Sequence, residues 1–127
     1  MTATLFIVLS LCGGLGACAR YALDGLVASR LAGAMPWGTI LINLSGSFLL
    51  GLLTGLVAGN LIPEAWQLAV GTGFLGGYTT FSTASVETVR LLQTGKPVAS
   101  AANAFGTLLG ALAAAGIGML AAAWLWP

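Results

Sequence analysis

Charge is confined to seven positions in 127 residues, Arg20, Asp24, Arg30, Glu64, Glu87, Arg90 and Lys96, and the gaps between them constrain the fold more than any other feature. Residues 31–63, 65–86 and 97–127 carry no charge, and each gap exceeds the ~20 residues that cross the hydrocarbon core of a bilayer. The segment from Ala3 to Ala19 is at the short end of that range but extends through Tyr21–Leu23. Only 6% of residues are charged and 58% are hydrophobic, against roughly 25% charged in soluble domains. The first segment has no basic residue ahead of its apolar run, as a cleaved signal requires, and Arg20 follows it directly. It is therefore expected to be retained. An all-α integral membrane protein is predicted, with four transmembrane helices over about 4–29, 37–60, 65–93 and 97–125. Residues 1–127 are expected to form a single four-helix channel-sized domain with no soluble portion.

The third of these spans is unlike the others. Residues 71 to 88 read Gly-Thr-Gly-Phe-Leu-Gly-Gly-Tyr-Thr-Thr-Phe-Ser-Thr-Ala-Ser-Val-Glu-Thr, four glycines and a run of hydroxyls where a continuous apolar helix should be. Backbone without its helical partner costs several kcal/mol per group in hydrocarbon, so it persists only when buried in protein or lining a wet path. The pattern predicts a third helix broken in mid-membrane, with carbonyls and amide dipoles exposed to hold an ion.

Several function classes are excluded or disfavoured. A net charge of +1 gives no electrostatic case for nucleic acid. With no histidine and no carboxylate cluster, a catalytic metal lacks ligands, and no nucleophile stands beside a base, so the chain is not expected to be an enzyme. Cys12 and Cys18, six apart in one helix, read as free apolar thiols. Gly51, Gly55 and Gly59, and again Gly106 and Gly110, have the small-xxx-small spacing that lets helices approach closely, either within one chain or between subunits. Four helices alone scarcely enclose a polar path, so an oligomer is expected, a two-fold dimer being the commonest form. Arg20, Arg30, Arg90 and Lys96 all fall in or beside the first and third connections, which by the positive-inside rule places that side in the cytoplasm and both termini outside.

The polar side chains within the spans each have two readings. Asn43 either makes an interhelical hydrogen bond or offers its amide to an anion. Arg20 either snorkels to the interface or supplies a positive field at a pore mouth. Asn103 and Thr107, four apart, share a helix face, and Thr107 either bonds its own i−4 carbonyl or lines a path. Ser82, Thr83 and Ser85 have the same two options, and Glu87 is placed to pair with Arg90 one turn on. Phe81 is either a packing residue or a ring whose positive edge meets a small anion.

Taken together, three motifs resemble the Fluc (CrcB) fluoride channel family. They are Gly13-Gly14-Leu15-Gly16-Ala17 with Arg20-Tyr21; Pro36-Trp37-Gly38-Thr39 with Asn43 and Gly46; and Gly73 to Thr83, followed by Ser85 and Glu87. The resemblance covers the whole chain in length, span number and motif order. It implies a dual-topology dimer, with a second copy or an oppositely oriented paralogue, two narrow fluoride paths along the interface, and a site in the inner (plasma) membrane as a multi-pass protein. By position, Asn43 corresponds to the family's pore amide and Phe81 to the first of two pore phenylalanines. Thr80, Ser82 and Thr83 neighbour the path, Thr107 matches a hydroxyl position, and Arg20 belongs near the vestibule. The carbonyls of Gly76 and Thr79 match the site of a structural sodium ion. Two departures stand out: Ala84 where many relatives have the second phenylalanine, and Asn103 where some have an aromatic hydroxyl.

The function implied is passive export of cytoplasmic fluoride, driven by a negative-inside potential. Channel donors replace part of the ion's water yet bind weakly enough to release it. Two other classes compete. A small cation or multidrug antiporter requires a titratable carboxylate in mid-membrane, for which only Glu87 is available. A non-conducting assembly subunit requires no polar track.

Overall fold

The computed structural model describes residues 2–126; Met1 and Pro127, the ends of the expected single unit, lie outside the described residues. Among the described residues the chain is helical throughout, with no strand. Helix α1 (Ala3–Arg30) opens on Thr2, whose hydroxyl accepts the Leu5 N–H at 3.3 Å, and closes with Arg30 in its last turn, where a cation opposes the helix dipole. Helix α2 (Trp37–Ala58) begins after Pro36 and ends at Gly59. The turn that follows needs a left-handed residue, which Asn60 supplies at φ 55°.

The third span is interrupted. A π-helical segment, π1 (Gln67–Leu75), continues into a single turn, α3 (Gly76–Tyr78), after which Thr79 and Thr80 are extended and α4 (Phe81–Gln93) starts afresh. The fourth span is continuous from Pro97 to Trp124: α5 (Pro97–Ala101), a π-helical insert π2 (Ala102–Gly106) and α6 (Thr107–Trp124). Gly95, at φ 76°, turns the chain between α4 and α5, and the Lys96 N–H returns to the Leu91 carbonyl. α1, α2 and the Pro97–Trp124 run are long and apolar enough to cross a membrane. The broken span supplies the fourth crossing in two halves.

The break falls where the hydroxyls are, not where the glycines are. Gly76 has helical angles, φ −61° and ψ −38°, and the helix ends only at Thr79. The glycines serve close packing instead. A side chain on Gly77 would strike the Gly13 carbonyl, and one on Gly16 would strike the Phe74 carbonyl, so α1 lies directly on the backbone of π1 and α3. The same device joins α2 to α6, where Gly51 faces the Ala115 carbonyl, Gly118 faces the Phe48 carbonyl and Gly55 faces the Ala122 methyl. In lipid such backbone-to-backbone packing replaces the hydrophobic drive available in water. The fully buried core is small, Ile42, Leu75 and Tyr78 with Ala19, Leu23, Val70 and Phe74 around them. Most remaining large apolar side chains point outward, as a chain dissolved in lipid permits.

Candidate functional site: a groove at the helix break

The break opens on a groove of about 620 Å³ bounded by α2, π1, α3, α4, π2 and the start of α6. Asn43, Gly76, Thr79, Thr80, Phe81, Asn103 and Thr107 all line it, as does Ala84. Residues from three spans, as distant in the chain as Asn43 and Thr107, thus meet at one surface. Ser82 and Thr83 do not line it; their hydroxyls cluster with that of Thr80 at the start of α4. Thr80 caps this helix, its hydroxyl accepting the Thr83 N–H at 3.2 Å, which satisfies one of the orphan donors of a helix start.

Asn43 makes a reciprocal pair with one peptide. Its Nδ2 donates to the Thr80 carbonyl at 2.8 Å, and its Oδ1 accepts the Thr80 N–H at 2.8 Å. This is an interhelical bond, the first of the two sequence readings, and it leaves one amide hydrogen of the two unused by Thr80 on a residue that lines the groove. Phe81 is 88% exposed; within one chain it packs against almost nothing, which excludes a core role and presents its ring to the groove. Thr107 does not bond its i−4 carbonyl. Its hydroxyl oxygen is buried and has no partner among the described residues, beside the π-helical insert that alters the usual register of carbonyls. Asn103 is 2% exposed and ties the fourth span to α4, donating to the Thr88 hydroxyl at 2.8 Å and reaching the Ala84 carbonyl at 3.5 Å.

Arg20 approaches from the opposite side. Half-buried on α1, it donates from Nε to the Gly77 carbonyl at 3.2 Å, so its charge stands against the C-terminal end of the half-helix, the favourable polarity. Glu87 turns to α2 rather than to Arg90: the Thr39 hydroxyl, 48 residues away and itself buried, donates to Glu87 Oε1 at 3.0 Å. Sequence reasoning assigned no role to Thr39, and no local spacing announces a partner that distant. Ser85 bonds the Phe81 carbonyl of its own helix at 2.9 Å, the back-bonding alternative.

The carbonyls around the break divide into two sets. Leu75 accepts from the Thr79 N–H and hydroxyl, Gly77 from Arg20, and Thr80 from Asn43. Those of Gly76, Tyr78 and Thr79 accept no hydrogen bond among the described residues, and of these residues Gly76 and Thr79 line the groove. Free carbonyls on a groove within the membrane are acceptors available to a cation or to a partner's donor.

Fold and groove together define a small polytopic membrane protein with a helix broken at the site, an architecture for passing or binding ions. The comparisons with known proteins give the family. Residues 7–119 match the family described as CrcB-like protein, Camphor Resistance (CrcB), and the chain belongs to it. It is 48% identical over 119 residues to the fluoride-specific ion channel FluC 1 of Leifsonia xyli subsp. xyli, covering 94% of this chain and 87% of that protein. It is 47% identical over 112 residues to FluC 2 of Moorella thermoacetica, covering 87% and 91%. It is 39% identical over 117 residues to FluC of Syntrophotalea carbinolica, covering 91% and 95%.

Proposed function

We propose that this protein is a passive fluoride channel of the plasma membrane, with no enzymatic activity, that lets cytoplasmic fluoride leave down its electrochemical gradient. The observation that carries this is the groove at the break. It brings together Asn43, with one amide hydrogen unused by Thr80, Thr107, whose buried hydroxyl has no partner among the described residues, and the exposed Phe81 ring. Relatives covering nearly the whole chain and named fluoride-specific channels point to the same ion. An anion as small as fluoride gives up water only to hydrogen-bond donors, and a hydroxyl already buried without a partner is one held ready. The ring edge of Phe81 adds partial positive charge without a competing acceptor.

The working form is a dimer of two copies inserted in opposite senses, or of this chain with an oppositely oriented paralogue. One copy leaves the groove open along its side and Phe81 bare, so a second surface is needed to close a path. A sodium ion held by the Gly76 and Thr79 carbonyls belongs to this reading. Both carbonyls are free of hydrogen bonds and both residues lie on the groove, and unwound carbonyls at a half-helix end suit a hard monovalent cation. Such an ion would supply fixed positive charge where two half-helices end; Arg20 orients the neighbouring Gly77 carbonyl away from it.

The test is flux. Purified protein reconstituted alone into liposomes is expected to release fluoride rapidly once valinomycin is added, with negligible chloride release under the same gradient. Well-incorporated protein that releases no fluoride would refute the homomeric channel and leave the paralogue pairing to be tried by co-reconstitution.

A further inference from the structure

We infer that Asn43 is the latch that creates the cation site: by capturing the Thr80 peptide it prevents the broken helix from closing on itself and keeps the Gly76 carbonyl free. The inference rests on the sodium proposed above and assigns to Asn43 a positioning role separate from any contact with the anion. In an unbroken helix the N–H of residue 80 donates to the carbonyl of residue 76, four positions back. Here that N–H donates to Asn43 Oδ1 at 2.8 Å instead, and the Gly76 carbonyl has no donor. The Thr80 carbonyl is held at the same time by Asn43 Nδ2 at 2.8 Å. A primary amide satisfies both polar atoms of a peptide at once, because it carries a donor and an acceptor side by side. The break thus costs no unsatisfied Thr80 group in a medium where each would cost several kcal/mol, while the vacancy it makes is passed to Gly76.

Two further contacts keep the latch in register. Gly46, one helical turn beyond Asn43 on α2, has no room for a side chain because Thr79 Cγ2 and the Tyr78 ring lie against it. The Tyr78 hydroxyl is 2.9 Å from that of Ser45. α2 therefore grips the three residues 78–80 by a ring, a methyl and a peptide in succession. Thr79, whose carbonyl is the second free oxygen on the groove, is pinned by its own hydroxyl to the Leu75 carbonyl at 2.9 Å. Its carbonyl is left to point elsewhere.

The experiment is thermal unfolding of the full chain in lipid nanodiscs, with sodium replacing N-methylglucamine at constant ionic strength. Fluoride flux is measured on the same preparations. Wild type is expected to show a saturable rise in Tm with sodium, since a ligand bound only by the folded state stabilises it. Asn43→Leu, of similar size but without an acceptor, lets the Thr80 N–H return to Gly76; its sodium midpoint should move at least about tenfold higher or vanish. Asn43→Ser, too short to reach Thr80, is expected to do the same and replaces the leucine variant if that one does not fold. Asn43→Asp keeps the acceptor for the Thr80 N–H but loses both amide hydrogens, the one that the Thr80 carbonyl accepts and the one offered to the anion. Its sodium response should be weakened less than that of Asn43→Leu while its fluoride flux falls. An unaltered sodium response in Asn43→Leu or Asn43→Ser overturns the inference. A wild type that conducts fluoride but gains no stability from sodium also overturns it and leaves the channel standing. Sodium stabilisation that follows the latch in a protein passing no fluoride would instead sink the channel reading alone.

Discussion

The seam between α2 and α6 and the groove beside the break are both built on α2, yet they treat backbone in opposite ways. In the seam, Gly51 and Gly118 bring main chain against main chain at the Ala115 and Phe48 carbonyls, inside uninterrupted helices. At the groove, Asn43 holds an extended peptide, the Thr107 hydroxyl is buried without a partner, and Phe81 is bare. The seam is finished within one chain. The groove is not: its polar atoms are left over for something the single chain does not supply. Helix packing and the helix break are thereby separated along one helix, with Asn43 and Gly46 serving the break and Gly51 and Gly55 serving the seam.

The sharpest way to break that division is to fill the seam. Gly51→Leu would drive a side chain into the Ala115 backbone, which cannot yield as a flexible side chain would. Overpacking of this kind costs about 1–3 kcal/mol or more. The variant is expected to lose the monodisperse peak in size-exclusion chromatography, whereas a normal elution profile and Tm would show the seam to be dispensable. A smaller and different effect is expected in the groove. Ala84→Phe adds a ring beside Phe81 and Asn103 without touching the seam; chloride leak relative to fluoride efflux should fall several-fold, with Tm shifted little. An unchanged ratio would mean that Ala84 is not a loose point of the path. The smallest effect is predicted at Gly106, where nothing lies within 4 Å of an added methyl. Gly106→Ala should change single-chain stability by less than about 1 kcal/mol, so a lost dimer in that variant would locate the subunit interface there.

Much of the fold was legible because lipid leaves so few options. Four apolar crossings followed from the positions of seven charges, and a broken third helix from residues 71–88. The residues that make the break were not legible, since glycine in a span can mark close approach rather than interruption. Gly76 and Gly77 stay helical so that α1 can reach them, and Thr79 and Thr80 do the breaking. The site was legible as a set of residue types but not as pairs. Asn43 was picked out as a polar group in an apolar span, while its partner Thr80, 37 residues on, has no local signal. The Thr39–Glu87 bond is hidden for the same reason, and it displaced the expected pairing of Glu87 with Arg90. The two π-helical segments alter the register by one residue, which no apolar periodicity over such short stretches reveals. Of the hydroxyl run, Ser82 and Thr83 are helix-start residues in this chain rather than groove-lining ones.

The claim that the groove carries the anion is tested most directly by fluoride efflux from liposomes containing wild type, Thr107→Val or Ser10→Ala. Valine preserves the shape of Thr107 but removes its unpartnered hydroxyl, and Ser10 bonds only its own helix at the Phe6 carbonyl, far along the chain from the groove. The account predicts efflux about tenfold slower for Thr107→Val, the scale of one lost hydrogen bond to a charged group, and unchanged for Ser10→Ala. Equal rates for Thr107→Val and wild type would contradict it and move the path away from the break.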